Sequence, residues 1–226
     1  MSLLDYERPS LTTDLVLFRV IEEESIDIRK NDTKKLQVLL INRKDEPQKG
    51  KWSLPGGFVN IDEEISDNVL RKLEYKTGIT GDFYLEQLYT FGGLTRDERG
   101  RVISVSYLGL VNGENHRNMG GSEEQKWFDV QDALNMELAF DHKEIVKYGL
   151  ERLKGKAEYT DIVFNLLPSE FTINDVKEIY ELLFKKKMDN FHRRIGKYVT
   201  PLNKTRTGKQ FRPAELFAWK RGNKDD

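Results

Sequence analysis

Cysteine is absent from the 226 residues, which excludes disulfides, thiolate metal sites and cysteine nucleophiles together. Histidine is almost as scarce: only His116, His142 and His192 offer an imidazole, and their spacing matches no zinc pattern. No apolar run approaches the roughly 18 to 20 residues that cross a bilayer, and the opening "MSLLDYERPS" lacks a basic flank leading into an apolar stretch. The expectation is a cytoplasmic protein with no membrane partner, no metal and no cofactor. Internal repeats and low-complexity tracts are missing too. Hydrophobic residues make up 38% and charged residues 33% of the chain, a composition that excludes wholesale disorder. The length allows one large domain or two small ones.

Net charge is also nearly absent, at −1, but the sum hides an asymmetry. Residues 185–221 hold twelve Lys/Arg against Asp189 and Glu215, a net of +10, which leaves −11 for the rest. A basic segment joined to an acidic body is the pattern of a polyanion-binding module attached to something else.

Short apolar runs bounded by turn residues lie at 11–21, 36–43, 83–93, 102–111 and 126–130 and read as strands. A helix is predicted over 63–77, with Asn60 or Asp62 as its cap and Gly78 as its stop. A second is predicted over 141–154, ending at Gly155. Mixed strands flanked by helices predict an α/β layer structure for residues 1–155. Beyond that the character changes. Thr172 followed by Asp175 is a capping pattern, and Ile173, Val176, Ile179, Leu182 and Leu183 form one helical stripe. A short helix, "DNFHRRIGKYV", and a basic, Gly-containing β-ribbon follow. Helix, helix, ribbon within residues 156–226 is the outline of a small winged helix-turn-helix domain.

The stretch "GKWSLPGGFVNIDEEISDNVLRKLEYKTGI" resembles the signature of the Nudix superfamily, in which Gly, Glu, Arg-Glu-apolar-any-Glu-Glu and Gly-apolar recur at fixed spacing. Gly57, Glu63, Arg71, Leu73, Gly78 and Ile79 stand in register. The resemblance implies an α/β/α sandwich with a mixed sheet and, in most members, hydrolysis of a nucleoside diphosphate linked to another group. Here, however, the three acidic positions inside the register hold Lys72, Tyr75 and Lys76. Carboxylates at offsets of three and four would share one helical face and converge on Mg²⁺; ammonium groups cannot hold a cation. Two readings stand: Lys72 and Lys76 replace the metal as counter-charge to a bound diphosphate, or they are surface lysines that touch only water. The glycine loop, Gly56 and Gly57, suits both.

"RDERGRVIS" resembles a segment of Nudix domains that bind or cleave ADP-ribose, which makes Arg96, Arg99 and Arg101 candidate fork donors to phosphate or ribose oxygens. A dimer contact is the other role the resemblance allows them; the alternative is a charged hairpin turn between two core strands. In the basic module, outward His192, Arg193, Arg194 and Lys197 alternate with inward Phe191, Ile195 and Tyr198, and the ribbon supplies Lys204, Arg206, Lys209 and Arg212. Such a helix reads base edges while the wing tracks phosphates.

The whole chain, residues 9–220, resembles the Nudix-related transcriptional regulators, whose N-terminal Nudix domain senses a metabolite and whose C-terminal winged helix binds operator DNA. That resemblance implies a ligand-sensing domain at 1–155, a DNA-binding domain at 156–226, a homodimer, double-stranded operator DNA and a small effector, ADP-ribose foremost. It favours sensing without hydrolysis. The alternative is a Nudix pyrophosphohydrolase with an unusual metal site and a basic tail for RNA binding or assembly.

Overall fold

The computed structural model describes residues 6–23, 33–81, 83–113, 121–122, 124–189, 191–206 and 213–221. Their described parts form two compact units: Met1–Phe18 with Gln37–Leu110 and Asn118–Leu150, and Arg19–Leu36 with Val111–Arg117 and Glu151–Asp226.

An apolar run without polar alternation marks a strand covered on both faces. β1 (Ser10–Glu23) is such a strand, with Leu15, Val16, Leu17 and Phe18 all buried. It occupies the middle of a sheet ordered β5–β6–β1–β2–β8–β7. The other members are β2 (Thr33–Asn42), β5 (Tyr84–Phe91), β6 (Val102–Asn112), β7 (Gly121–Ser122) and β8 (Gln125–Asp129). Two short strands join from the side: β3 (Trp52–Ser53) on β2, and β4 (Gly56–Phe58) antiparallel to β1. That last pairing sets Gly56 opposite Asp14, and a Cβ at Gly56 would lie 2.1 Å from the Thr13 carbonyl oxygen. Only glycine fits there.

Helix α1 (Ile65–Thr77) begins two residues later than its sequence predicts and carries no side-chain cap. The reason lies in Glu63, whose carboxylate accepts from the Asn60 N–H at 3.1 Å and closes the preceding loop itself. At the other end Gly78 adopts φ 70° and donates to the Glu74 carbonyl at 2.8 Å, the expected left-handed stop. Short α2 (Val130–Asn135) precedes α3 (His142–Tyr159). α3 runs past the expected terminus at Gly155, because Leu153 and Ala157 on either side remain buried on one stripe. Their packing outweighs the cost of about 1 kcal/mol for an internal glycine. Among the described residues, no helix is long and apolar enough to cross a membrane.

The C-terminal segment follows the winged-helix outline. α4 (Ile173–Phe184) opens on a full capping box, with Thr172 Oγ1 accepting from Asp175 N–H and the Asp175 carboxylate accepting from Thr172 N–H. α5 (Phe191–Ile195) is shorter than predicted and passes into a 3-10 turn at Gly196–Tyr198. β9 (Val199–Arg206) and β10 (Ala214–Trp219) form the antiparallel ribbon. Phe164, Phe171, Tyr180 and Phe191 pack at its core through ring contacts of 5.1–5.5 Å, and Trp219 donates to Asp161 at 3.0 Å.

Candidate effector site and nucleic-acid interface

Glu63 survives from the Nudix register, but its oxygens are committed inside the protein. Arg71 grips it with Nε and Nη2, the latter at 2.7 Å, and Asn68 Nδ2 donates at 2.9 Å. The hydrogen bonds from Arg71 and Asn68 hold its carboxyl down to about 2. Asn68, fully buried, also donates to the Phe58 carbonyl and accepts from Thr13 Oγ1 at 2.6 Å. The Glu63–Asn68–Arg71 group thereby clamps α1 to β4 and β1.

Lys72 and Lys76 separate from Tyr75 in exposure, although offsets of three and four set all three on one helical face. Tyr75 is 85% exposed, whereas both lysines are half-buried. The Lys72 side chain lies across Gly57 so closely that a methyl group there would sit 2.9 Å from Cε and 3.1 Å from Nζ. Burial, then repulsion from Lys72, lowers the Lys76 pKa, while burial and Arg71 lower that of Lys72. Among the described residues neither ammonium has a carboxylate within 4.0 Å. The Mg²⁺ that the Nudix register implies does not fit this donor set. Two cations and an exposed phenol occupy its carboxylate positions, and Glu63 is held by Arg71.

Beside the glycine loop sits a buried cluster. Asp14 accepts from Ser104 Oγ at 2.6 Å and from Arg96 Nη2 at 3.3 Å. Arg96 forks onto Asp141 at 2.8 and 2.7 Å. His142 Nδ1 accepts from the Leu54 N–H at 2.8 Å, so the ring proton resides on Nε2, which faces Asp14 Oδ1 at 3.4 Å. Burial lowers the His142 pKa and keeps the ring neutral. Arg96 is thus a buried strut of the fold.

Arg101 is also engaged internally, donating to the Gly92 and Gly93 carbonyls at 2.7 and 3.0 Å. Of the three candidate arginines, Arg99 presents itself. Asp97, buried, fixes its guanidinium in a fork at 2.9 and 2.6 Å, which lowers the Asp97 pKa, and the guanidinium centre lies 5.1 Å from the Phe58 ring.

Sequence reasoning did not single out Asp14, Arg43, Asp141, His142 or Phe140. For Asp14 a signal existed: an acid inside the apolar run "LTTDLVLF" must be paired once buried. Phe140 carried none. Its importance shows only in its left-handed backbone, φ 53°, and in the Arg43 guanidinium 4.7 Å from its ring.

In the winged helix, Phe191 and Ile195 are buried and His192, Arg193, Arg194 and Lys197 exposed, as the alternation predicts. Their employment differs. Arg194 donates to the Ala157 and Glu158 carbonyls at 3.2 and 3.1 Å and stacks on Tyr180, so it caps the end of α3. Lys204 pairs with Glu170 at 2.7 Å, and Arg206 with Asp175 at 3.0 Å. Lys209 and Arg212 lie outside the described residues.

The NUDIX domain family matches residues 25–149, and the NrtR DNA-binding winged helix domain matches residues 163–219. The ADPR responsive transcriptional repressor NtrR of Acinetobacter baylyi is 36% identical over 196 residues, 84% of this chain and 74% of its own. The chain belongs to the Nudix-related transcriptional regulators. Solved structures agree with this membership at the level of the whole fold. The regulator superposes on Shewanella oneidensis NrtR complexed with a 27mer DNA with a TM-score of 0.79 at 34% identity, covering 93% of each chain. The NUDIX domain of the same Shewanella protein, complexed with ADP ribose, matches with a TM-score of 0.54 and 34% identity over 68% of the regulator and 94% of that chain.

Proposed function

We propose that this regulator is a cytoplasmic, homodimeric repressor that binds operator DNA through residues 156–226 and senses ADP-ribose through residues 1–155 without hydrolysing it. The observation that carries the reading is the pair Lys72 and Lys76. These half-buried cations have no carboxylate partner among the described residues and stand where a hydrolase would gather carboxylates around Mg²⁺. A diphosphate satisfies both ammonium groups and relieves their mutual repulsion. The ADPR responsive repressor of Acinetobacter and the ADP ribose complex of the Shewanella NUDIX domain support that ligand. Gly57 belongs to the site as the floor that Lys72 crosses, and Gly56 keeps that floor paired to β1. Arg99 adds an accessible guanidinium. Glu63, Arg96 and Arg101 shape the site through their internal partners.

Thermodynamic linkage requires only that ADP-ribose bind the DNA-bound and free conformations with different affinity. A gel-shift assay of the protein on its own upstream DNA at low salt is expected to show a specific complex whose amount changes on adding ADP-ribose. The absence of any complex, with and without ligand, overturns the reading. Robust ADP-ribose turnover with Mg²⁺ or Mn²⁺ that vanishes in Glu63→Gln overturns its non-hydrolytic part.

A further inference from the structure

The wing's cations meet counter-charge inside the protein. Lys204 Nζ donates to Glu170 Oε1 at 2.7 Å, and Arg206 donates from Nη1 to Asp175 Oδ2 at 3.0 Å and from Nη2 to the Glu170 carbonyl at 3.3 Å. Both carboxylates stand where α4 opens, and all four side chains belong to one compact unit. Phe171, next to Glu170, is buried and exchanges backbone hydrogen bonds with Phe217 of β10 at 3.0 and 2.8 Å. The main chain thus fixes this segment against the ribbon independently of the ion pairs.

The ribbon is also shaped to meet the acids. Glu215 pairs with Thr205 and Phe217 with Pro201, so Leu202, Asn203 and Lys204 stand against Leu216 alone. Asn203 inside that irregularity adopts φ 53°, a left-handed backbone that a non-glycine residue keeps only where its surroundings over-determine it. Bulges re-aim side chains, and here the next side chain along is Lys204. Neither pair strands a buried charge when it opens. Asp175, 15% exposed, still accepts from the Thr172 N–H at 2.8 Å and keeps the Lys34 ammonium at 3.4 Å, while Glu170, 44% exposed, returns to water.

A lysine or arginine that neutralises a carboxylate is not at the same time free to neutralise a phosphate. We propose that Glu170 and Asp175 compete with operator phosphates for Lys204 and Arg206 and so limit what the wing adds to DNA affinity. An effector typically alters affinity by about 5- to 150-fold, and a wing whose cations are already employed keeps the DNA complex within reach of such a change. The inference rests on the reading of residues 156–226 as the DNA-binding domain and adds the residues that set how tightly it binds.

Fluorescence anisotropy of the full chain on a duplex of its own upstream DNA at 50 mM salt tests it. Glu170→Gln is expected to tighten binding by about two- to five-fold, the span of an exposed ion pair. The gain should vanish when Lys204→Gln is added, because it comes from that cation. Glu215→Gln removes the same charge from the ribbon, opposite Thr205, without releasing Lys204, and is expected to give a smaller gain. Asp175→Asn with and without Arg206→Gln repeats the comparison for the second pair. Glu170 takes no part in the capping box, so its variant keeps the test valid where Asp175→Asn does not fold. Unchanged or weaker binding in Glu170→Gln, or a gain that survives Lys204→Gln or is matched by Glu215→Gln, overturns the competition alone. If the wild-type chain forms no specific complex, the DNA-binding reading falls and the competition with it.

Discussion

Individual residues in this regulator take their roles from their internal partners. Glu63 stands in the Nudix register, and Arg71, Asn68 and the Asn60 N–H take up its oxygens, so it clamps the loop to the helix. His142 shows how tightly one residue binds distant segments: its Nδ1 holds the Leu54 N–H and its Nε2 faces Asp14. Its folded pKa is depressed by burial below the ordinary 6.5. Stability from this group is therefore full above about pH 6.5 and declines as pH falls toward the folded value, by at most about 1.4 kcal/mol per pH unit for one proton. Thermal melting between pH 7.5 and 5.5 is expected to show that decline, and His142→Gln should flatten it. An unchanged pH slope in the variant would assign the loss to other groups. The lysine substitutions were legible from spacing alone, because a register of fixed offsets places them. His142 was not, since its partners lie 88 and 128 residues away along the chain.

At the level of elements, local chemistry and tertiary packing agree best at α4. Thr172 and Asp175 form the capping box that their spacing predicts. The same Asp175 carboxylate receives Arg206 at 3.0 Å and Lys34 at 3.4 Å, which no local pattern reveals. Thr172→Ala is expected to destabilise the protein by about 1 kcal/mol, the usual worth of an N-cap. Asp175→Ala should cost more, because it also removes the carboxylate that Arg206 pairs with and one of the three that surround Lys34, whose side chain is 11% exposed. Equal losses in urea melts of the two variants would show that the cap alone matters. α1 and α3 departed from their predicted ends for a shared reason. At these two ends the loop hydrogen bond to Glu63 and the packing around Gly155 outweigh the local signal, whereas Gly78 and Thr172 stop and open their helices as their chemistry predicts.

For the whole molecule, the +10 segment is expected to act through the cations that neither a carboxylate nor a backbone carbonyl engages. Arg193 and Lys197 are exposed, with no carboxylate partner among the described residues, while Arg194 holds backbone carbonyls. Arg193→Gln and Lys197→Gln should each reduce the slope of log affinity against log salt by about 0.9, the contribution of one phosphate contact to duplex binding. Arg194→Gln should leave the slope unchanged and lower the melting temperature. Fluorescence anisotropy on operator DNA from 50 to 200 mM salt distinguishes them, and a slope loss in Arg194→Gln would return that residue to the DNA interface. A count of basic residues could not have made this division. They are alike in sequence, and among the described residues it is tertiary proximity, as to Glu170, Asp175 or the end of α3, that engages Lys204, Arg206 and Arg194.

The sequence by itself determined the architecture and its family. Hydrophobic period, capping pairs, glycine stops and the Nudix spacing are local or fixed-offset properties, and they survive without knowledge of distant contacts. It also showed that the metal-binding carboxylates had become Lys72, Tyr75 and Lys76. Tertiary structure alone decided which side chains remained available for a ligand. Hydrogen-bond capacity is finite and is consumed by neighbours remote in the chain, as Arg96 is by Asp14 and Asp141, and the ring contacts of Arg43 with Phe140 and of Arg99 with Phe58 exist only once four separate segments have been brought together.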